Sequence, residues 1–346
     1  ALRSLDGVEV RGVDPDAGAL RTALAMGAID VVSDSLEEGA AGARAVVIAA
    51  PVPELAGLVR RALAAAPDDC VVTDIGSTKS GLLEALTPQE RGRFIGGHPV
   101  CGGERTGVAF ARDGLFRDAT WFLTPGAEAR SDLFGRLHAL VAAVGARPVA
   151  IDAGVHDHLM ALVSHLPHVL AGALVNQAAD TAPGGREALR SAGPSFTDLT
   201  RVAGSNPPLW ADILLANAAS VLDALRDFSS RLDDVASALE RGDRDWLLGF
   251  VGDAAEARER LRRAGEPDPT TPVRVLVAVP NHPGAISEIA TALGHAHINI
   301  EDLILRPGPP DADGELLLVV GGPEAAREAV RLLAERGYRA RESGLG

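Results

Sequence analysis

DIGSTKSGLLEALTPQERGRFIGGHPVCGGE, residues 74–104, is the stretch from which the whole chain is read. It sets a serine, a lysine, a histidine and a glutamate near the ends of two predicted strands, each flanked by glycines. Lys79 is the only lysine in the chain; the other 32 of the 33 basic residues are arginine. A compact ammonium with rotatable donors is not replaced by a planar guanidinium. Lys79 is therefore either held for that chemistry or a surviving surface lysine in an arginine-biased sequence.

Outward from this stretch, strand and helix patterns alternate. Residues 8–14 (VEVRGVD) read as a strand ending on an acid, and residues 17–26 as a helix closed by Gly27. Residues 43–51 (ARAVVIAAP) form the apolar run of a parallel strand covered on both faces. A helix over 55–66 and strands over 70–76, 93–97, 121–125 and 147–151 complete a doubly wound α/β domain, Rossmann-like, at residues 1–153. From 154 to 264 the apolar spacing is helical, over 159–178, 209–225 and 235–261 with a break at 181–185. Such an all-helical domain is expected to form a dimer contact, with substrate between the domains. GEPDPTTP, residues 265–272, is a proline-rich linker. Residues 273–346 then read as βαββαβ, a ferredoxin-like module with elements at 273–280, 285–295, 298–305, 315–320, 324–336 and 338–341.

The 346 residues are 47% hydrophobic but 3% aromatic, so the core is largely Ala, Val and Leu. A net charge of −14 argues against nucleic acid or an anionic membrane as partner. An anionic substrate must then meet locally concentrated arginines. Two cysteines, Cys70 and Cys101, make no disulfide framework and suit a reducing compartment. The sequence shows no unbroken run of about eighteen apolar residues and no leader before the first strand, so a soluble cytoplasmic protein is expected.

Asp14 is placed to accept hydrogen bonds from an adenosine ribose and to repel a 2′-phosphate, which favours NAD over NADP. Before Pro15 it also fits plain turn chemistry. The first strand and the glycine-rich phosphate turn belong about twenty to thirty residues before this acid. The chain as given starts at Ala1 with what reads as the end of the first helix. That turn either lies upstream of the numbering or is absent, and its absence would abolish pyrophosphate binding.

His98 follows two glycines and precedes Pro99, so it projects from a strand end, where open α/β sheets bind ligands. A neutral imidazole there can take a hydroxyl proton. Ser77 either shares that hydrogen bond or caps the helix beginning near Lys79. His156, His158, His165 and His168 have spacing that suits a metal. They also suit an anion at a helix N-terminus, with Pro167 in the first turn; no metal is assigned. Arg201 offers a fork for a carboxylate or pairs with Asp198 one turn earlier. Trp210 reads as core. Cys101, three residues after His98, is set aside as a nucleophile because an adjacent buried thiol is usually inert.

Together these motifs resemble the prephenate/arogenate dehydrogenase family of tyrosine biosynthesis. The matching pieces are VRGVD at 10–14, VVTDIGSTK at 71–79, GGHPVCGGERTG at 96–107, HDHLMALVSHLPH at 156–168 and GPSFTDLTRVAGSNPPLW at 193–210. PNHPGAISEIATALGHAHINIEDL at 280–303 is similar to an ACT domain, a module that commonly binds amino acids. The resemblance implies NAD-dependent oxidative decarboxylation of prephenate to 4-hydroxyphenylpyruvate. His98 would take the ring-hydroxyl proton, with Ser77 in support. His168, Arg201, Ser164, Glu104 and Asp198 would belong to the substrate site, with Trp210 near a homodimer contact. Pro51 and Ser77 would join Asp14 at the cofactor. Gly103 departs from the family pattern, which usually has Ser or Thr there. Tyrosine is the expected effector, its carboxylate held on backbone N–H groups of the turn Asn281-His282-Pro283-Gly284, unless that turn is only structural. Arogenate is an alternative substrate, for whose ammonium Glu104 is a partner. A non-catalytic, amino-acid-responsive binding protein is a second alternative. A hydroxyacid dehydrogenase is a third, and it leaves SHLPH and FTDLTR unexplained.

Overall fold

A computed structural model describes the backbone of residues 1–5, 7–102, 107–112, 114–181, 191–264, 273–280, 284–306 and 313–343. In chain order the first domain runs β1 (Arg11–Gly12), α1 (Ala17–Ala25), β2 (Val31–Val32), α2 (Leu36–Ala40), β3 (Ala45–Ile48), α3 (Val52–Ala65), β4 (Val71–Asp74), α4 (Ser80–Ala85) and α5 (Pro88–Arg91). It continues with β5 (Phe94–Pro99), β6 (Thr120–Pro125), α6 (Ser131–Ala143) and β7 (Arg147–Ala150). The main sheet has the order β3-β4-β5-β6-β7. Strands β3, β4 and β5 are parallel, as are β6 and β7, but β5 and β6 run antiparallel. Both faces are covered. Leu55, Val59, Ala62 and Leu63 of α3 pack with Val72 and Phe94 on one side. Leu133, Phe134, Leu137 and Val141 of α6 pack with Val71, Ile95 and Leu123 on the other. Each of these buried leucines stabilises the layer by roughly 1.5–3 kcal/mol relative to exposure.

Two expectations for this domain change. The strand at 8–14 shrinks to the two residues of β1, paired with β2 in a sheet of its own. Asp14 ends it by accepting a hydrogen bond from the Asp16 N–H at 2.8 Å, a local turn that breaks pairing. Strand β5 continues through His98 and Pro99, because β6 pairs with it as far as Pro99. His98 therefore sits in the strand, not after it.

The helical domain opens with a continuous rod: α7 (Ala153–Met160), one π turn (Ala161–His165) and α8 (Leu166–Thr181). SHLPH thus lies inside a helix and not at a free N-terminus, so the anion-at-a-helix-start reading falls. Pro167 lacks the N–H that an unbroken α-helix would use, and the widened π turn just before it absorbs the mismatch. By length and composition, Ala153–Asp180 is apolar enough to cross a membrane, although no unbroken apolar run signals it. After α9 (Pro194–Thr200) and a 3-10 turn (Arg201–Gly204) come α10 (Pro207–Ala216), α11 (Ala218–Arg241) and α12 (Arg244–Ala264). The expected break at 181–185 falls, after Thr181, outside the described residues, and the helices expected over 209–225 and 235–261 are each interrupted. The chain bends by 90° at Asn217 between α10 and α11. It reverses at Gly242, whose φ of +65° ends α11 in the left-handed region.

The C-terminal module is βαββαβ: β8 (Val273–Val279), α13 (Ala285–His295), β9 (Ile300–Arg306), β10 (Gly314–Val320), α14 (Gly322–Glu335) and β11 (Arg339–Ser343). Its antiparallel sheet has the order β11-β8-β10-β9. One apolar cluster runs from α6 and the main sheet into this module's core. At the seam the Gly284 N–H donates to the Ala129 carbonyl and the Ser287 hydroxyl to the Pro125 carbonyl, each at 3.2 Å. Gly284 has φ +91°, and a Cβ there would stand 2.1 Å from the Ala127 carbonyl oxygen, so only glycine fits. Its N–H is committed to docking and is not open to an effector carboxylate. Asn281, His282 and Glu104 lie outside the described residues, as does the expected linker at 265–272.

Candidate active site

Asp74, the last residue of β4, gathers the site. Its carboxylate accepts from the Gly76 N–H at 2.8 Å, the Gly97 N–H at 3.1 Å and the Lys79 ammonium. Lys79 Nζ also donates to the Gly97 carbonyl at 2.8 Å. Both side chains have zero exposure. Burial pushes the Lys79 ammonium below its usual range, and the Asp74 carboxylate pulls it back up. The lone lysine is therefore held, and the surface reading is excluded. The two glycines ahead of His98 make room for it. A Cβ on Gly96 would meet Thr124 Oγ1 at 2.2 Å and Lys79 Cδ at 3.1 Å, and one on Gly97 would meet the Asp74 carbonyl oxygen at 2.6 Å.

The helix after DIGSTK is capped from outside. Asp157, on α7, accepts from the Lys79 N–H and the Ser80 N–H, each at 2.8 Å. Ser77, half-buried, forms no cap: the N-cap position of α4 is Lys79, with no side-chain cap bond. A carboxylate from the next domain takes that role because the helix dipole and the open N–H groups favour an anion. Burial opposes the Asp157 charge, yet hydrogen bonds from His156 and Ser80 outweigh it and hold the carboxyl below the usual range.

His98 joins this network through a second imidazole. Its Nδ1 lies 2.9 Å from His156 Nε2, and His156 Nδ1 lies 2.8 Å from Asp157 Oδ1. The two rings meet edge to face at 5.1 Å, with Phe122 edge-on to His156 at 5.4 Å. Burial, with repulsion from His156, Lys79 and His165, pushes His98 down to about 3. It is neutral at physiological pH, so one ring nitrogen carries a lone pair.

The four histidines separate. His156 and His165 are buried, His168 is half-buried and His158 is exposed. No group of three or more metal-ligating side chains occurs among the described residues. Asn217 donates to the Asp157 carbonyl at 2.7 Å and contacts His165 Nδ1 at 3.1 Å, which explains the bend there. Burial pushes His165 down to about 4. His165 meets Trp210 edge-on at 6.0 Å, and His168 stacks on Trp210 at 3.5 Å. His168 Nδ1 is buried with no protein partner among the described residues. Burial also lowers the His168 imidazole.

Ser164 is half-buried in the π turn. Arg201 and Asp198 are exposed on the segment α9–3-10 turn that packs against α8. Asp14 and Pro51 are exposed, Pro51 opening α3 just after β3. Cys101 is exposed, not buried as expected, and partial desolvation pushes its thiol up, so it is no ready thiolate. Sequence reasoning missed Asp74, Asp157 and Asn217. The HDH triplet at 156–158 was the available signal, and its acid is the residue that matters.

Profiles of known families match along most of the chain. The nucleotide-binding domain of prephenate dehydrogenase matches residues 1–150, its dimerization domain residues 152–252, and an ACT domain residues 273–337. Prephenate dehydrogenase of Bacillus subtilis is 30% identical over 333 residues, covering 95% of this chain and 90% of that protein. This chain belongs to the prephenate dehydrogenase family. Prephenate dehydrogenase of Lactococcus lactis is 29% identical, covering 86% of this chain and 83% of the relative. The crystal structure of Aquifex aeolicus prephenate dehydrogenase with hydroxyphenyl propionate and NAD+ superposes with a TM-score of 0.70 at 27% identity, covering 75% of this chain and 91% of that one.

Membership makes the chain an NAD-dependent oxidoreductase. The residues present fit the cofactor. Parallel strands β3, β4 and β5 deliver Pro51, Ser77 and His98 toward their carboxyl ends, and Asp14 stands exposed after β1.

Acid should destabilise this fold. His98 and His165 fall to about 3 and about 4, below the 6.5 of an unperturbed histidine. Between those values the unfolded chain binds more protons, so stability is complete above about pH 6.5 and is lost as pH falls toward 4. The His98 contribution at pH 5 is on the order of 1–2 kcal/mol. A Tm at pH 5 below that at pH 7.5 is expected; an equal or higher Tm at pH 5 contradicts the neutral, buried assignment.

Proposed function

We propose that this protein oxidises and decarboxylates prephenate to 4-hydroxyphenylpyruvate, with His98 as the base. The observation that carries this reading is the neutral His98 imidazole at the carboxyl edge of the sheet, with Nδ1 engaged and Nε2 making no protein hydrogen bond among the described residues. NAD, when bound, supplies the two-electron acceptor for hydride from the carbon bearing the ring hydroxyl. His98 Nε2 takes the hydroxyl proton as that C–O becomes C=O. The bond to the ring carboxylate then breaks, CO2 leaves, and its electron pair makes the ring aromatic. His98 returns the proton to the resulting phenolate oxygen, so the base is regenerated. Ser77 lies on the Asp74-anchored turn and supports the hydroxyl. Arg201 holds a carboxylate as a bidentate fork, with His168, Ser164, Asp198 and Glu104 completing the substrate set. Asp14 and Pro51 hold the cofactor. The base contributes roughly two to four powers of ten, and positioning contributes more.

The working unit in this reading is a homodimer. Leu215, Leu239, Val251 and Leu261 are each more than 60% exposed on the helical domain, and Val163 is 61% exposed on the rod. A second copy would cover side chains of this kind. Two free thiols suit a soluble enzyme in the reducing cytoplasm. For regulation, a cavity of about 480 Å³ lies between α13 and Ala127, with Glu288, His295 and Arg336 in its lining. An acid beside two basic groups suits the ammonium and carboxylate of tyrosine.

NADH formation followed at 340 nm tests the reaction. Turnover of prephenate is expected to exceed that of arogenate, to fall at least ~100-fold in His98→Asn, and to drop when tyrosine is added. Unimpaired turnover in His98→Asn sinks the base assignment, a preference for arogenate reassigns the substrate, and indifference to tyrosine removes that effector. Leu239→Asp should convert the dimer to a monomer by light scattering; an unchanged mass places the interface elsewhere.

A further inference from the structure

We infer that His156 and Asp157 are positioning residues that fix the tautomer of His98, keeping its proton on Nδ1 and its lone pair on Nε2. The inference deepens the proposed reading of His98 as base, and rests on it for its catalytic meaning. The geometry behind it is independent of that reading.

An ionised carboxylate accepts and cannot donate. Asp157 Oδ1 takes the Lys79 N–H, Oδ2 takes the Ser80 N–H, and Oδ1 also faces His156 Nδ1 at 2.8 Å. His156 must therefore carry a proton on Nδ1. Its ring has zero exposure, with Phe122 edge-on against it. A second proton, on Nε2, would place a full charge on a ring with no exposure to water, against an Asp157 carboxylate already engaged by two backbone N–H groups. His156 Nε2 is therefore the acceptor, and the proton in the 2.9 Å contact belongs to His98 Nδ1. A neutral imidazole has only one N–H, so His98 Nε2 is left with a lone pair. An uncoupled histidine would divide between two tautomers, of which the one protonated at Nε2 is useless as a base.

The same carboxylate that sets this proton also caps α4 behind the Ser77 turn. Asp157 lies on α7 of the helical domain, while Ser77 and His98 lie on the nucleotide-binding domain. The base is thus oriented only when the two domains are correctly seated against one another. Asn217 fixes Asp157 in turn by holding its carbonyl.

The test reads the proton directly, without cofactor or substrate. In full-length protein labelled with 15N-histidine, long-range 1H–15N correlation separates the two neutral tautomers, and the His98→Asn spectrum identifies the His98 signals. His98 is expected protonated at Nδ1 and bare at Nε2. In His156→Phe the signal should shift toward the other tautomer, and kcat should fall about tenfold to a hundredfold with the Kd for NAD unchanged. His156→Gln, whose side-chain oxygen reaches the position of Nε2, should keep the tautomer and most of the rate. Protonation of His98 at Nε2 in the wild-type protein overturns the inference. So does His156→Phe with an unchanged tautomer and kcat within twofold of wild type. If His156→Phe does not fold, the wild-type spectrum decides alone. Loss of the base assignment itself would appear separately, as full turnover in His98→Asn with the tautomer still fixed.

Discussion

A lysine ammonium and an aspartate carboxylate, both sealed from water, hold β4 and β5 together. Asp74 alone ties three segments together: the end of β4, the Gly76 turn and Gly97 on β5. Lys79 returns to the same two places from the start of α4. Removing one partner of such a buried pair leaves an uncompensated charge, at a cost of about 3–5 kcal/mol. The pair is therefore an obligation on the fold as much as a source of stability. Arginine does not substitute, because the Lys79 stem already lies against the position a Gly96 Cβ would occupy, and a planar fork needs more room.

From that anchor the site spreads across the domain boundary. The Lys79 side chain faces inward to Asp74, and its backbone N–H faces Asp157 of α7. Asp157 leads to His156 and His98 on one side, and through Asn217 to His165, Trp210 and His168 on the other. Positioning of this kind asks little of the sheet chemically and much of it geometrically. The helices beyond keep large apolar side chains exposed, while the ACT module is docked by Gly284 onto the turn that follows β6. That turn ends the strand carrying Phe122, which packs against His156.

Much of this was legible in the sequence because local chemistry leaves local marks. A solitary lysine among arginines, two glycines before a histidine, and the βαββαβ alternation after residue 272 all stand out locally, although burial alone decided that the lysine is held. What stayed hidden depends on contacts between distant segments. The cap on α4 comes from a residue 77 or 78 positions away, and the His98 partner from 58 positions away. No spacing rule announces either. Pro167 misled because a π turn, which has no sequence signature, lets a proline sit within a rod. The antiparallel turn from β5 to β6 was equally invisible, since alternation of strand and helix suggests parallel strands and the intervening 100–119 segment gives no direction.

The buried pair is the claim on which the rest stands, and a double-mutant cycle in urea measures it most directly. Lys79→Met, Asp74→Leu and the double variant are compared with wild type. The single losses are expected to overlap, with a coupling energy of at least ~1.5 kcal/mol. Losses that add within ~0.5 kcal/mol would contradict this coupling, because the two charges would then be stabilised independently and nothing would bind β4 to β5 through them.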